Sequence, residues 1–236
     1  MTAPLDAHLV SEPTADAAAA RPSRRSRELA SLGPVAQLRA GRLPRRLGQL
    51  GVGLVLYGLT LAMMIRSALG NASWDVLHQG MALRMPISIG TAVIVMSLVV
   101  LLFWIPLREK PGLGTIANSF VVGLVADEAL RLLAAPDALW QRVALMVGGI
   151  VLNALATALY IGSQFGPGPR DGLMTGLHRR TGLSIRVVRT GLEVTVVALG
   201  WLLGGVVGVG TVLYTLAIGP LVQLLLPLCI VELPER

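Results

Sequence analysis

One cysteine, Cys229, stands in the whole chain, which excludes an intramolecular disulfide and a cysteine-based metal site. Charge is scarce as well. Asp, Glu, Lys and Arg make up 14% of the 236 residues, where a soluble domain carries about 25%. The chain also lacks a P-loop, a Ser-His-Asp arrangement, a zinc helix motif and a dinucleotide fingerprint. No catalytic residue, metal or cofactor is therefore expected, and the chain reads as a non-enzyme. The first 20 residues lack an early apolar run and carry Asp6, Glu12 and Asp16. No signal peptide is expected from them, and the late arginines leave an organellar transit peptide as the weaker alternative.

What is present in excess is hydrocarbon. Hydrophobic residues make up 54% of the chain and the mean hydropathy is +0.71, which places the chain in a lipid bilayer. The net charge of +7 is unevenly spread: eight of the 20 basic residues lie between Arg21 and Arg46, just before the first apolar run. That is the positive-inside pattern and predicts a cytoplasmic N-terminus. The cluster has no interleaved aromatics and abuts a span, so no nucleic acid is expected as a partner. Anionic lipid is the partner that suits its basic end. Residues 1–44 are rich in Ala, Ser, Pro and Arg and cannot bury enough surface to order themselves, so they read as a disordered cytoplasmic tail.

Six apolar runs follow, at residues 47–65, 88–107, 113–133, 143–161, 187–203 and 210–230. Each is long enough to cross a bilayer of about 30 Å with tilt. Two polar stretches interrupt them. Residues 166–186 read GPGPRDGLMTGLHRRTGLSIR, and residues 70–90 read GNASWDVLHQGMALRMPISIG. Asp171 answers Asp75, Gly176 answers Gly80 and Ser184 answers Ser88, each at an offset of 96 (171 − 75, 176 − 80, 184 − 88). The same offset aligns residues 51–130 with the later half without a gap, through both polar stretches and both G-x-G-T turns, at 112–115 and 208–211. This is an internal duplication: residues 45–134 form a first membrane repeat, 135–230 a second, and 231–236 a short cytoplasmic tail.

If the short segments 72–85 and 170–180 crossed the membrane, each repeat would have four spans and the two would be parallel. If they do not, each has three, and an odd number inverts the second copy. The positive-inside count is the same either way. Length favours three, because about 13 helical residues cover only about 20 Å. Both segments also carry charge that would sit at depth. They are expected to be re-entrant or interfacial helices entering from opposite faces.

The second copy, GPGPRDGLMTGLHRR followed by Arg189, Glu193 and the G-V-G-T turn, resembles the YczE/YitT-like family of bacterial integral membrane proteins, the YczE branch most closely. The first copy, with Gly70, Trp74-Asp75 and the turn at 112–115, has the same look. The resemblance covers residues 50–227 and implies a multi-pass bacterial cell-membrane protein. It implies no reaction. Val93 and Ser97 stand opposite Arg189 and Glu193, which makes the two halves unequal.

Asp75 and Asp171 each open a short helical stretch behind chain-breaking residues. An acid there complements the helix dipole and caps free N–H groups. The rival role is in a transport pathway, because broken helices at matching places in two repeats point to a transporter site. Arg170 sits beside Asp171 in the same segment. Trp74 and His78 flank Asp75; His78, three residues on, is placed to share a proton with it, and headgroup anchoring is the plainer reading. Arg189 and Glu193, at i and i+4 inside the fifth run, pair structurally or gate a pathway. Asn118 and Asn153 suit hydrogen bonds between spans. Asp127 and Glu128 read as part of a solvated vestibule. Gly200, Gly204 and Gly208, spaced by four, suggest one close-packing helix face, within the bundle or in a homodimer.

The expected fold is an all-α integral membrane protein with about six transmembrane helices in two inverted three-span repeats, each with a short re-entrant or interfacial helix. Both termini are expected in the cytoplasm, at the cell membrane. The leading function is a small-solute transporter or permease with its pathway between the repeats. A non-catalytic scaffold or assembly factor is the alternative.

Overall fold

The computed structural model describes residues 33–233. Residues 1–32 and 234–236, which hold most of the expected tail and four of its arginines, lie outside the described residues. Among the described residues all regular structure is helical: α1 (Pro34–Arg39), α2 (Leu43–Ser67), α3 (Ser73–Arg84), α4 (Ile89–Leu107), α5 (Leu113–Leu132), α6 (Leu139–Gly162), α7 (Pro169–Thr181), α8 (Ile185–Leu202) and α9 (Val209–Cys229). Helix α1 falls inside the stretch expected to be disordered, with Gln37 buried.

Five helices, α2, α4, α5, α6 and α9, are long and apolar enough to cross a membrane. Helix α8 has 18 residues and carries Arg186, Arg189 and Glu193, which sets it apart from those five. Helices α3 and α7, with 12 and 13 residues, are too short to span.

Local chemistry explains where these helices begin. Ser88 and Ser184 accept hydrogen bonds from the backbone N–H groups of Thr91 and Val187 and cap α4 and α8. Gly112 and Gly208 precede α5 and α9, and each backbone N–H donates to the hydroxyl of Thr115 or Thr211, at 3.1 and 3.3 Å. Pro169 starts α7, where a helix needs no N–H. Gly70 and Gly166 hold φ of +118° and +102°, a conformation that glycine adopts without strain, and turn the chain towards α3 and α7.

Four helices of the first half start 96 residues before four of the second: 43 and 139, 73 and 169, 89 and 185, 113 and 209. The tertiary contacts follow the same rule. The backbone N–H of Gly114, at the start of α5, donates to Phe165 O at 2.8 Å, and that of Gly210, at the start of α9, donates to Leu69 O at 2.8 Å. Each half thus latches the entry turn of the other. Helices α2 and α6 pack antiparallel along the centre: Gly53 lies against Ala156 and Tyr160, and Gly149 lies against Thr60 and Met64. The short helices are exchanged, α3 onto α8 and α7 onto α4. Gly172 of α7 gives room to Trp104 of α4, and the equivalent pair reverses the sizes, with Val76 of α3 against Gly200 of α8.

The single glycine face over Gly200, Gly204 and Gly208 does not form, because α8 ends at Leu202. Gly204 is a left-handed turn residue with φ of +99° and Gly208 is the N-cap of α9. Gly200 and Gly208 pack inside the chain, against the backbones of Leu77 and Leu69. Asp127, expected in a solvated vestibule, is half-buried. It accepts from the Ser88 hydroxyl at 2.5 Å and from Gly90 N at 2.7 Å, pinning the start of α4 to α5. Glu128 is exposed and pairs with Arg131 at 3.2 Å.

Candidate functional site

The N-terminal ends of α3 and α7 come together at the centre of the molecule, beside the crossing of α2 and α6. Trp74 of α3 and Arg170 of α7 are equivalent positions (170 − 74 = 96), and they meet there: the Arg170 guanidinium lies 5.8 Å from the Trp74 ring and 5.6 Å from the Tyr57 ring. Arg170 also donates a hydrogen bond to the Tyr57 hydroxyl. No ion pair among the described residues includes Arg170. Neither α3 nor α7 has a side-chain cap.

Asp75 is buried, with His78 Nδ1 3.2 Å from its Oδ1. The proton-sharing geometry expected from the i, i+3 spacing is present, whereas the headgroup anchoring is not: Trp74 and His78 are both buried, at 8% and 5% exposure. Asp171 accepts from the Tyr160 hydroxyl at 2.5 Å. Tyr160 and Tyr57 make an edge-on ring contact, with centroids 6.2 Å apart. Asn153 donates to the Thr60 hydroxyl at 2.8 Å and accepts from Tyr214 at 2.9 Å, tying α6 to α2 and α9. Asn118 lines the same centre, with no hydrogen bond of its side chain among the described residues.

Two spaces open from this centre. A chamber of about 20 Å³, the size of one water, is lined by Asp75, His78, Ser97, Asn118 and Arg170. A larger cleft of about 260 Å³ lies between α8 and α9 and reaches down to Tyr57, Trp74, Tyr160, Arg170 and Asp171. Arg189 and Glu193 line its α8 wall and pair at 2.9 Å, while Tyr214 and Gln223 line the α9 wall. Arg170, Tyr57 and Trp74 face both spaces and so form the partition between them.

Two seams whose residues lie 96 apart are closed unequally. Between α4 and α5, Gly90 lies directly on Gly123, and a Cβ on Gly90 would come within 2.0 Å of Gly123 O. Between α8 and α9 the matching residues are Arg186 and Gly219, and nothing lies within 4 Å of a Cβ placed on Gly219. Gln223 stands where Asp127 bridges the first seam. Reading the chain alone missed Tyr57, Tyr160 and Tyr214 as site residues and missed this difference in closure. Setting Gly90 beside Arg186 was the available signal.

The helices and the buried polar centre define a multi-pass helical membrane protein. A model of a family of unknown function (DUF6198) matches residues 44–227, and the chain belongs to that family. An uncharacterized protein of Haemophilus influenzae is 44% identical over 182 residues, which cover 77% of this chain and 83% of that protein. The uncharacterized membrane protein YczE of Bacillus subtilis is 28% identical over 74% of this chain and 82% of its own length. The uncharacterized protein YyaS of the same organism is 25% identical over 75% of this chain and 90% of its own length. No solved structure matches.

Proposed function

We propose that the chain is a non-catalytic transporter or permease for a small solute, built from two inverted three-crossing repeats with the pathway between them. The observation that carries the reading is the unequal closure of equivalent seams: α4 is locked on α5, while α8 stands off α9 over a cleft that ends at two half-helix N-termini. A molecule that moves solute by alternating access exchanges two such states between its halves. The antiparallel packing of α2 on α6 favours inverted over parallel repeats, because equivalent helices then cross in opposite directions. Helix α8 is the sixth crossing in this reading, its Arg189–Glu193 pair facing the cleft rather than lipid. Both termini lie in the cytoplasm at the cell membrane, with the Arg-rich segment against anionic lipid.

Purified protein in liposomes is expected to pass a small solute or protons, and Asp171→Asn to cut that flux by at least about tenfold, as loss of a charged group at a site does. Native-like flux in Asp171→Asn, or none across a broad solute panel, would count against the pathway.

A further inference from the structure

The chemistry of the cleft narrows the solute, on the reading that the chain is a transporter. Arg170 enters the cleft with its flat guanidinium against two aromatic rings and one hydrogen bond, to a phenol hydroxyl. A guanidinium has several N–H donors in a planar fork, and the partner that fills such a fork is a carboxylate. Its neighbour Asp171 has one carboxylate oxygen on the Tyr160 hydroxyl and no hydrogen bond to the other among the described residues. Farther out, Arg189 and Glu193 form an ion pair with each other. The cleft therefore offers one cationic group and one anionic group, side by side on the first turn of α7, each with hydrogen-bonding capacity beyond its tyrosine partner. A solute with charge of a single sign would fill the hydrogen-bonding positions of one group and leave those of the other empty, which is costly away from water. A solute with both charges fills both.

We propose that the cleft binds a small zwitterion, a solute carrying both a carboxylate and an ammonium group, with the carboxylate on Arg170 and the ammonium on Asp171. A cleft of about 260 Å³ holds a solute of amino-acid size rather than a peptide or a lipid. Trp74 and Tyr57 wall the carboxylate end, and Tyr160 stands beside the ammonium end.

The test is thermal melting of the full chain in lipid nanodiscs with two matched sets of probes. One set is alanine, propionate and ethylamine; the other is phenylalanine, 3-phenylpropionate and 2-phenylethylamine. At least one amino acid is expected to stabilise the protein, with its acid and its amine binding about tenfold more weakly, the loss of one charged hydrogen-bonded contact. Arg170→Lys keeps the charge and loses the two-pronged contact, so affinity for the amino acid falls, again by about tenfold. Asp171→Asn abolishes the preference for the amino acid over its acid. Each variant is first checked for native elution and a cooperative melt. The proposal fails if neither amino acid binds, if an acid or an amine binds as well as its amino acid, or if neither variant changes binding. Binding that persists without any flux refutes transport and leaves this site standing. Flux of a solute without zwitterion binding does the reverse.

Discussion

Arg46→Met is expected to lower the melting temperature of the purified protein by on the order of 10 °C, the shift that about 3 kcal/mol produces in a chain of this size. Arg46 is fully buried at the start of α2. Its guanidinium donates to Gln37 O at 2.6 Å, Gln164 O at 2.8 Å and Ser163 O at 2.9 Å, and stacks on Phe165 at 4.2 Å. One side chain thus joins the segment before α2 to the turn after α6, the turn that also receives Gly114 N of α5. Methionine fills much of the volume but removes all three hydrogen bonds from this charged donor, each worth about 1 kcal/mol or more. Lysine cannot restore them, since its ammonium lacks the planar fork. Melting in detergent measures this, and a variant that melts with the native protein would remove Arg46 from the account of the fold.

The second large effect is at the closed seam. Gly90→Val places its Cβ against Gly123 O and the Asp127 carboxylate, at 2.0 and 2.5 Å. Neither the carbonyl, fixed in the α5 backbone, nor the carboxylate, held by Ser88 and Gly90 itself, can move aside without breaking the latch. The expected loss is on the order of 3 kcal/mol or more, the upper range for overpacking against backbone. The matching change in the other half, Gly219→Val, enters open space and is expected to stay within about 0.5 kcal/mol of the native protein. Folded yield and melting temperature of the two variants check the contrast. Equal behaviour would mean that the seams are not closed differently.

Much of the fold was readable from residues because its punctuation is repeated. Glycine, serine and threonine at fixed offsets specify helix starts through local hydrogen bonds, and Ser88 with Ser184, and Thr115 with Thr211, do so in the structure. Asp75, Asp171, Arg170 and Trp74 stood out as polar or amphipathic groups in apolar surroundings, and they meet at the centre. Other features depend on partners distant in the chain. Arg46 looked like one more cytoplasmic arginine, since its three carbonyls belong to residues 37, 163 and 164. Asp127 showed no partner in the sequence, because Ser88 and Gly90 lie 39 and 37 residues away. The tyrosines passed as ordinary span residues, because a phenol hydroxyl becomes a site group only once a charge is placed beside it.

The central claim is that α8 and α9 close on each other as α4 and α5 open. Ile94 touches Gly123 across the closed seam, and the equivalent residues are Thr190 and Gly219 (94 + 96, 123 + 96). The direct measurement is disulfide cross-linking of Thr190→Cys with Gly219→Cys in a Cys229→Ser background, in membranes under mild oxidant. The account predicts that the pair cross-links in part as the molecule cycles, and that cross-linked protein loses flux until it is reduced. A pair that never cross-links while flux continues would contradict it.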